Sequence, residues 1–385
     1  MGHADFTWFF VIFQHEFRKS NPIAFEVIMV LALAHLFGFY NPKQLADFLD
    51  VPHQAFYRHL KAWSLHHLRT MLLRFMVKQA AEPLASVLAK SPATRSRAGL
   101  TLSIDNSVID RLGKFLRCTW SWYSGGSKKV VHGQDMLGIV LTIHDVALPV
   151  HLLFCSKQGR DNTDKPRLLI TMLTQLRAEF QRYDLDITRI PLTLDSWFVS
   201  EPLRQQLYGL GFTQIIIAGK GNYVFTIQGR KQNAAAWKKE LSMQPPTWGI
   251  EVPACRVNAE SPTFGRVTLL FFQKNTTRSF YLMNFSPRTL RGAAIWHIWK
   301  SHHQIECFWK TLKSIFHIRE MRLHGDGLYA ALLIKVLAYL LAIRLKVRRA
   351  YSKLTITQLM RKLSRDHDLR DVLAEHFHSS CWERA

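Results

Sequence analysis

The sequence predicts an α/β core carrying a β-rich insertion, with helical regions at both ends. Three observations predict it. Between residues 98 and 221, short apolar runs alternate with helical spacing, as in a mixed sheet covered by helices. From 222 to 288, strand-like runs follow one another with polar turns between them. Before 98 and after 326, apolar residues recur at helical spacing.

The elements follow in order. The region 1–97 is expected to be helical and to bind DNA. Within it, residues 43–49 and 54–60 suit two short helices joined by Asp50-Val51-Pro52-His53. A second helix presenting Gln54, Tyr57, Arg58 and Lys61 has the look of a helix-turn-helix, with Asp50 where a turn glycine is usual. The first part of the core is 98–221. There, 100–104 is a strand ending at Asp105, 135–144 and 147–155 are two further strands, and 165–183 is an amphipathic helix. A strand at 190–194 ends at Asp195, a helix covers 202–210, and 213–218 is another strand. The β-rich insertion, 222–288, has strands at 223–227, 247–252, 266–273 and 278–284. The second part of the core, 289–325, holds one long helix over 290–316, and a helical C-terminal region spans 326–385.

Charge narrows the class of partner. Lys and Arg total 51 against 28 Asp and Glu, a net +23. Such an excess opposes compact folding unless a polyanion offsets it, and nucleic acid is the expected polyanion. The basic residues spread along the chain instead of gathering in one amphipathic helix, which disfavours a membrane surface. Two apolar stretches, 24–40 and 328–345, contain Glu26 and His35, and Lys335 and Arg344; both are expected as buried core helices, with no membrane partner. The five cysteines are scattered and never spaced as CxxC, which excludes a disulfide framework and a structural zinc site. With no signal-peptide pattern at the N-terminus, the expected location is cytoplasmic and nucleoid-associated.

The candidate chemistry rests on Asp105, Asp195 and Glu306. Carboxylates at buried strand ends are held in place at low entropic cost, and a third from a helix would complete an oxygen-rich site. Mg²⁺ suits such ligands, with Mn²⁺ able to substitute. Asp110, Asp135, Asp184 and Asp186 compete for the same role on spacing alone. The helix around Glu306 adds weight. Its spacing puts Trp299, His302, Glu306 and Lys313 on one face: an aromatic plate, an imidazole, a carboxylate and an ammonium.

Those residues carry a resemblance. The sequence resembles the DDE transposases of bacterial insertion sequences, in the subgroup with a Tyr-x2-Arg-x3-Glu-x6-Lys signature. Glu306 and Lys313 match, Trp299 stands for Tyr and His302 for Arg. Ile104-Asp105-Asn106-Ser107 is similar to the family's first-Asp segment, and Asp195-Ser196-Trp197-Phe198 to its second. Gly219-Lys220-Gly221-Asn222-Tyr223 is similar to a basic-aromatic turn that follows. The resemblance implies an RNase H-like (retroviral-integrase-like) core and a metal-dependent nuclease and strand transferase. Asp105, Asp195 and Glu306 would be both catalytic residues and metal ligands. Trp299, His302, His303, Lys310, Lys313 and Lys220 would grip DNA, beside Tyr57, Arg58 and Lys61 of the helix pair.

The expected function is transposition: binding of transposon ends, cleavage, and joining of the 3′-OH to target DNA, with a homodimer on paired ends. A non-catalytic DNA-binding relative and a general nuclease of the same fold are the alternatives. Trp248, in the β-rich block, is a candidate to hold an unstacked base, against a simpler role in the core.

Overall fold

A computed structural model describes residues 22–90, 98–111, 116, 118–125, 127–157, 165–247, 249–273, 279–286, 290–320, 323–325, 327–347 and 352–365. Trp248 lies outside them. In chain order the helices are α1 (Pro22–Leu36), α2 (Pro42–Leu49), α3 (His53–Lys61), α4 (Leu65–Leu88), α5 (Lys165–Gln181), α6 (Glu201–Gly209), α7 (Ala234–Glu240), α8 (Gly292–Ser314), α9 (Gly327–Val347) and α10 (Ile356–Ser364). The strands are β1 (Thr101–Asp110), β2 (Thr119–Ser124), β3 (Lys129–Ile143), β4 (Val146–Phe154), β5 (Leu192–Leu194), β6 (Ile215–Ala218), β7 (Val224–Ile227), β8 (Arg230–Asn233), β9 (Ala254–Ser261), β10 (Gly265–Gln273) and β11 (Ser279–Asn284). They divide into two compact units, one drawn from 1–76, 108–135 and 308–385, the other from 77–107 and 136–307.

In the first unit, α1 packs on α9 and on α3. Both α1 and α9 are apolar all round, a pattern that suits a helix enclosed on every side. Helix α9 is long and apolar enough to cross a membrane, yet 94% of its apolar window is buried in protein. Lys335 sits in its middle and donates from Nζ to the Tyr40 carbonyl at 2.7 Å. Burial pushes its ammonium down to about 7, so the lysine is accommodated partly by losing its charge. The pair α2 and α3 forms as the spacing predicts. Asn41 caps α2 by accepting from the Gln44 amide at 3.0 Å. Asp50 ends it with φ 54° and ψ 45°, the left-handed conformation that a turn glycine would take.

The second unit is built on a sheet. Among the described residues the strand order is β2-β3-β1-β5-β6-β11-β10-β9-β7-β8, with β4 also on β3. β1 pairs parallel with β5, and β5 with β6. β3 pairs antiparallel with β4, where Pro149 is tolerated beside a bulge at Ile139/Val140. Beyond β6 the β-rich block is not free-standing, because β11 pairs antiparallel with β6 and extends the same sheet.

Three sequence expectations are corrected. β1 does not stop at Asp105 but runs on to Asp110, so Asp105 is mid-strand. β3 begins at Lys129 because β2 supplies a hairpin partner for its first half. The strand expected at 247–252 does not appear among its described residues: Gly249 has φ +88°, and Thr247 and Ile250 bridge to each other. Helix α7 follows β8, with Asn233 accepting from the Ala236 amide as its cap.

Candidate active site

The site begins with the register of two parallel strands. Ser103 pairs with Thr193 and Ile104 with Leu194. Asp105 and Asp195 therefore follow at equivalent positions on neighbouring strands, about 5 Å apart along the hydrogen-bonding direction. Apolar neighbours hold this point firmly: Leu102, Ile104, Leu192 and Leu194 are fully buried. At Asp195 the strand turns into a short 3-10 turn, Ser196–Phe198, and Asp195 accepts from the Ser196 amide at 2.6 Å.

Helix α8 lies against these strands. Thr193 Oγ1 is 3.0 Å from Ser103 Oγ and 2.9 Å from His302 Nδ1. A β-carbon at Gly99 would lie 3.2 Å from Ser301 Oγ. Farther along both elements Lys313 Nζ meets the Val108 carbonyl, so the helix advances in the direction of β1. From His302 to Glu306 is one helical turn, about 6 Å of rise. From Ser103 to Asp105, and from Thr193 to Asp195, is a two-residue strand step of about 6.6 Å. Stepping on from the bonds among Ser103, Thr193 and His302, the same rises would carry Asp105, Asp195 and Glu306 toward one level.

The three carboxylates are turned to local donors. Asp105 accepts from the Asn106 amide at 2.7 Å. Glu306 is exposed and pairs with His303 Nδ1 at 3.0 Å, and His303 Nε2 is 3.3 Å from Cys307 Sγ. Among the described residues, no group of three His, Cys, Asp or Glu side chains is drawn close enough to hold a metal ion. The donor set itself, three carboxylates on rigid elements, fits a hard divalent cation.

The residues expected to grip DNA separate into groups. His302 is corrected: it is 5% exposed, bonded to Thr193, and stacked on Trp299 with ring centroids 4.5 Å apart. Burial pushes its imidazolium down to about 4, against the opposing pull of Glu306. Held between Thr193 and the Trp299 ring, the imidazole orders α8 against β5. Trp299 is corrected in part, since His302 covers one face and the ring packs against the core of Ile216, Leu270, Phe272 and Ile295. His303 and Lys310 are exposed. Lys313 donates from Nζ to the Val108 carbonyl at 2.9 Å. In the first unit, Gln54, Tyr57, Arg58 and Lys61 line one groove with Leu323 and His324.

Lys220 is set by its turn. Tyr281 donates from its hydroxyl to the Lys220 carbonyl at 2.6 Å. A methyl at Gly219 would fall 2.0 Å from the Tyr281 ring, so only glycine allows this packing. The Lys220 ammonium lies 5.7 Å from the centre of the Trp197 ring, and the Lys165 ammonium 5.4 Å from it. No binding role was expected for Lys165, and Trp197 was only part of a motif. The one signal available in sequence was a tryptophan close to an aspartate at the end of a buried strand.

Comparison with known proteins gives the family. Residues 120–341 match the family described as "Transposase DDE domain". The match holds Asp195 and Glu306, while Asp105 lies before it. No curated protein matches the sequence at a significant level. Among solved structures, a cryo-EM structure of a piggyBac transposase synaptic complex with hairpin DNA is similar, at 13% identity and a TM-score of 0.45. That similarity covers 73% of this chain and 54% of the other, so the chain spans about half the length of that protein. With more than half of its residues inside the family match, the chain belongs to the family of transposases with a DDE domain.

Proposed function

We propose that this transposase binds the ends of its own element, cleaves them, and joins the freed 3′-OH to target DNA. One observation carries the reading: Asp105 and Asp195 occupy equivalent positions on parallel strands, with Glu306 one helical turn beyond the bond of His302 to Thr193. The β4-β3-β1-β5-β6 part of the sheet, antiparallel on one side of β1 and parallel on the other, supports an RNase H-like core.

Asp105, Asp195 and Glu306 would hold divalent cations, Mg²⁺ with Mn²⁺ as substitute. Such ions, when bound, supply the positive charge and the acidity that phosphoryl transfer needs. The protein's own groups do the rest. Neutral His302 pins α8 to β5 and so fixes the base of the Glu306 side chain. Glu306 swings from His303 toward the two aspartates, which frees His303 for a phosphate oxygen. Lys220 and Lys310 neutralise backbone phosphates, and the α2–α3 pair lays Arg58 and Lys61 on the duplex. Two ends handled in one reaction call for a homodimer.

The test is to incubate the full-length protein and Mg²⁺ with a plasmid carrying the element's own ends, and to sequence the products. Nicks at the element's 3′ ends, together with molecules joining that 3′ end to new DNA, are expected. Cleavage that ignores the ends and yields no joined product would replace this reading with a general nuclease.

A further inference from the structure

Trp197 is 56% exposed, although large aromatic side chains are normally buried and exposure of this much apolar surface is unfavourable. The backbone enforces it. Asp195 caps the turn Ser196–Phe198, and Phe198 and Val199 are buried at 1% and 8% exposure, anchoring the turn from below. Trp197, between cap and anchor, is left pointing outward. Two ammonium groups from separate elements reach its ring: Lys165 from the first turn of α5 and Lys220 from the turn after β6. The Lys220 turn is itself held in place by Tyr281. A rigid exposed indole flanked by two cations, two residues from Asp195, combines a stacking plate with phosphate ligands.

We propose that Trp197, Lys165 and Lys220 form a binding site for one unpaired nucleotide of the DNA strand. Its base stacks on the indole, and its flanking phosphates draw the two ammonium groups from the ring. Duplex DNA cannot use the plate, because its bases are already stacked on one another. The site therefore selects DNA whose end is frayed or single-stranded beside the reacting phosphate. It deepens the transposase reading above, as a determinant of which DNA end is accepted.

The test is equilibrium binding by fluorescence anisotropy, with full-length protein in EDTA. The probes are a labelled blunt duplex and the same duplex with a short single-stranded thymidine overhang. Trp197→Ala is expected to weaken binding to the overhang duplex about tenfold and to leave the blunt duplex unaffected. Trp197→Phe keeps most of the overhang preference. Replacing Lys165 and Lys220 together by Ala lowers the salt dependence of overhang binding, by a slope of about 1 to 2. Equal overhang affinity for Trp197→Ala and the wild type, with both folded by circular dichroism, overturns the proposal. Because cleavage plays no part in this readout, its failure leaves the catalytic assignment standing. An active Asp195→Asn variant would sink that assignment without touching this one.

Discussion

Asp195→Asn is expected to lower cleavage of the element's ends on the order of 10³-fold or more. The change removes one negative charge and keeps the shape of the side chain. Asn can still accept from the Ser196 amide through its oxygen, so the turn after β5 survives. What is lost is a ligand oxygen at full charge, and a hard cation depends on that charge. Asp105→Asn and Glu306→Gln should fall in the same range. Combining any two should add little, because the three act as one unit. Cleavage assays under single-turnover conditions measure this, and near-wild-type rates in any one variant remove that residue from the site.

Protein stability is expected to fall as pH drops from about 6.5 to about 4, with His302 contributing on the order of 3 kcal/mol. The sign follows from burial. In the unfolded chain the imidazole takes up a proton near its ordinary value, whereas in the folded protein it resists until about pH 4. Between those values the unfolded state binds more protons, so acid favours unfolding; above about 6.5 the contribution is fully present. Urea unfolding at stepped pH should therefore show a shallower acid loss for His302→Gln than for the wild type. The comparison cancels the other buried imidazole with a lowered pKa, His35, which both proteins share. Identical profiles would mean that His302 is solvated and that its bond to Thr193 is not formed.

The core sheet was legible because its strands are short apolar runs flanked by polar turns. Residues 215–218 and 192–194 show their burial in composition alone. The helix carrying Glu306 was legible from spacing, and α8 falls within the stretch expected for it. What was not legible depends on partners distant in sequence. Asp105 is mid-strand because β3 gives β1 a neighbour along its later residues, which no local pattern reveals. β2 alternates, with Trp122 buried between exposed Ser121 and Tyr123, but its serines and aromatics lack an apolar run, and its pairing depends on β3 beside it. The surroundings of the α8 side chains were not legible for a similar reason. Helical spacing identifies the shared face of Trp299, His302 and Glu306, but whether that face meets solvent or Thr193 depends on where the helix docks. Lys165 gave no sign of its place beside Trp197, because the two meet only when α5 and the turn after β5 are folded.

The central claim is that Asp105, Asp195 and Glu306 are metal ligands, and the most direct measurement of it is Mn²⁺ uptake. Full-length protein bound to end-bearing DNA is titrated with Mn²⁺ while the electron paramagnetic resonance signal of the free ion is followed. The wild type should remove Mn²⁺ from solution beyond what the DNA alone removes. The variant carrying Asp105→Asn, Asp195→Asn and Glu306→Gln together should remove no more than the DNA does. Equal uptake by the variant and the wild type would contradict the account.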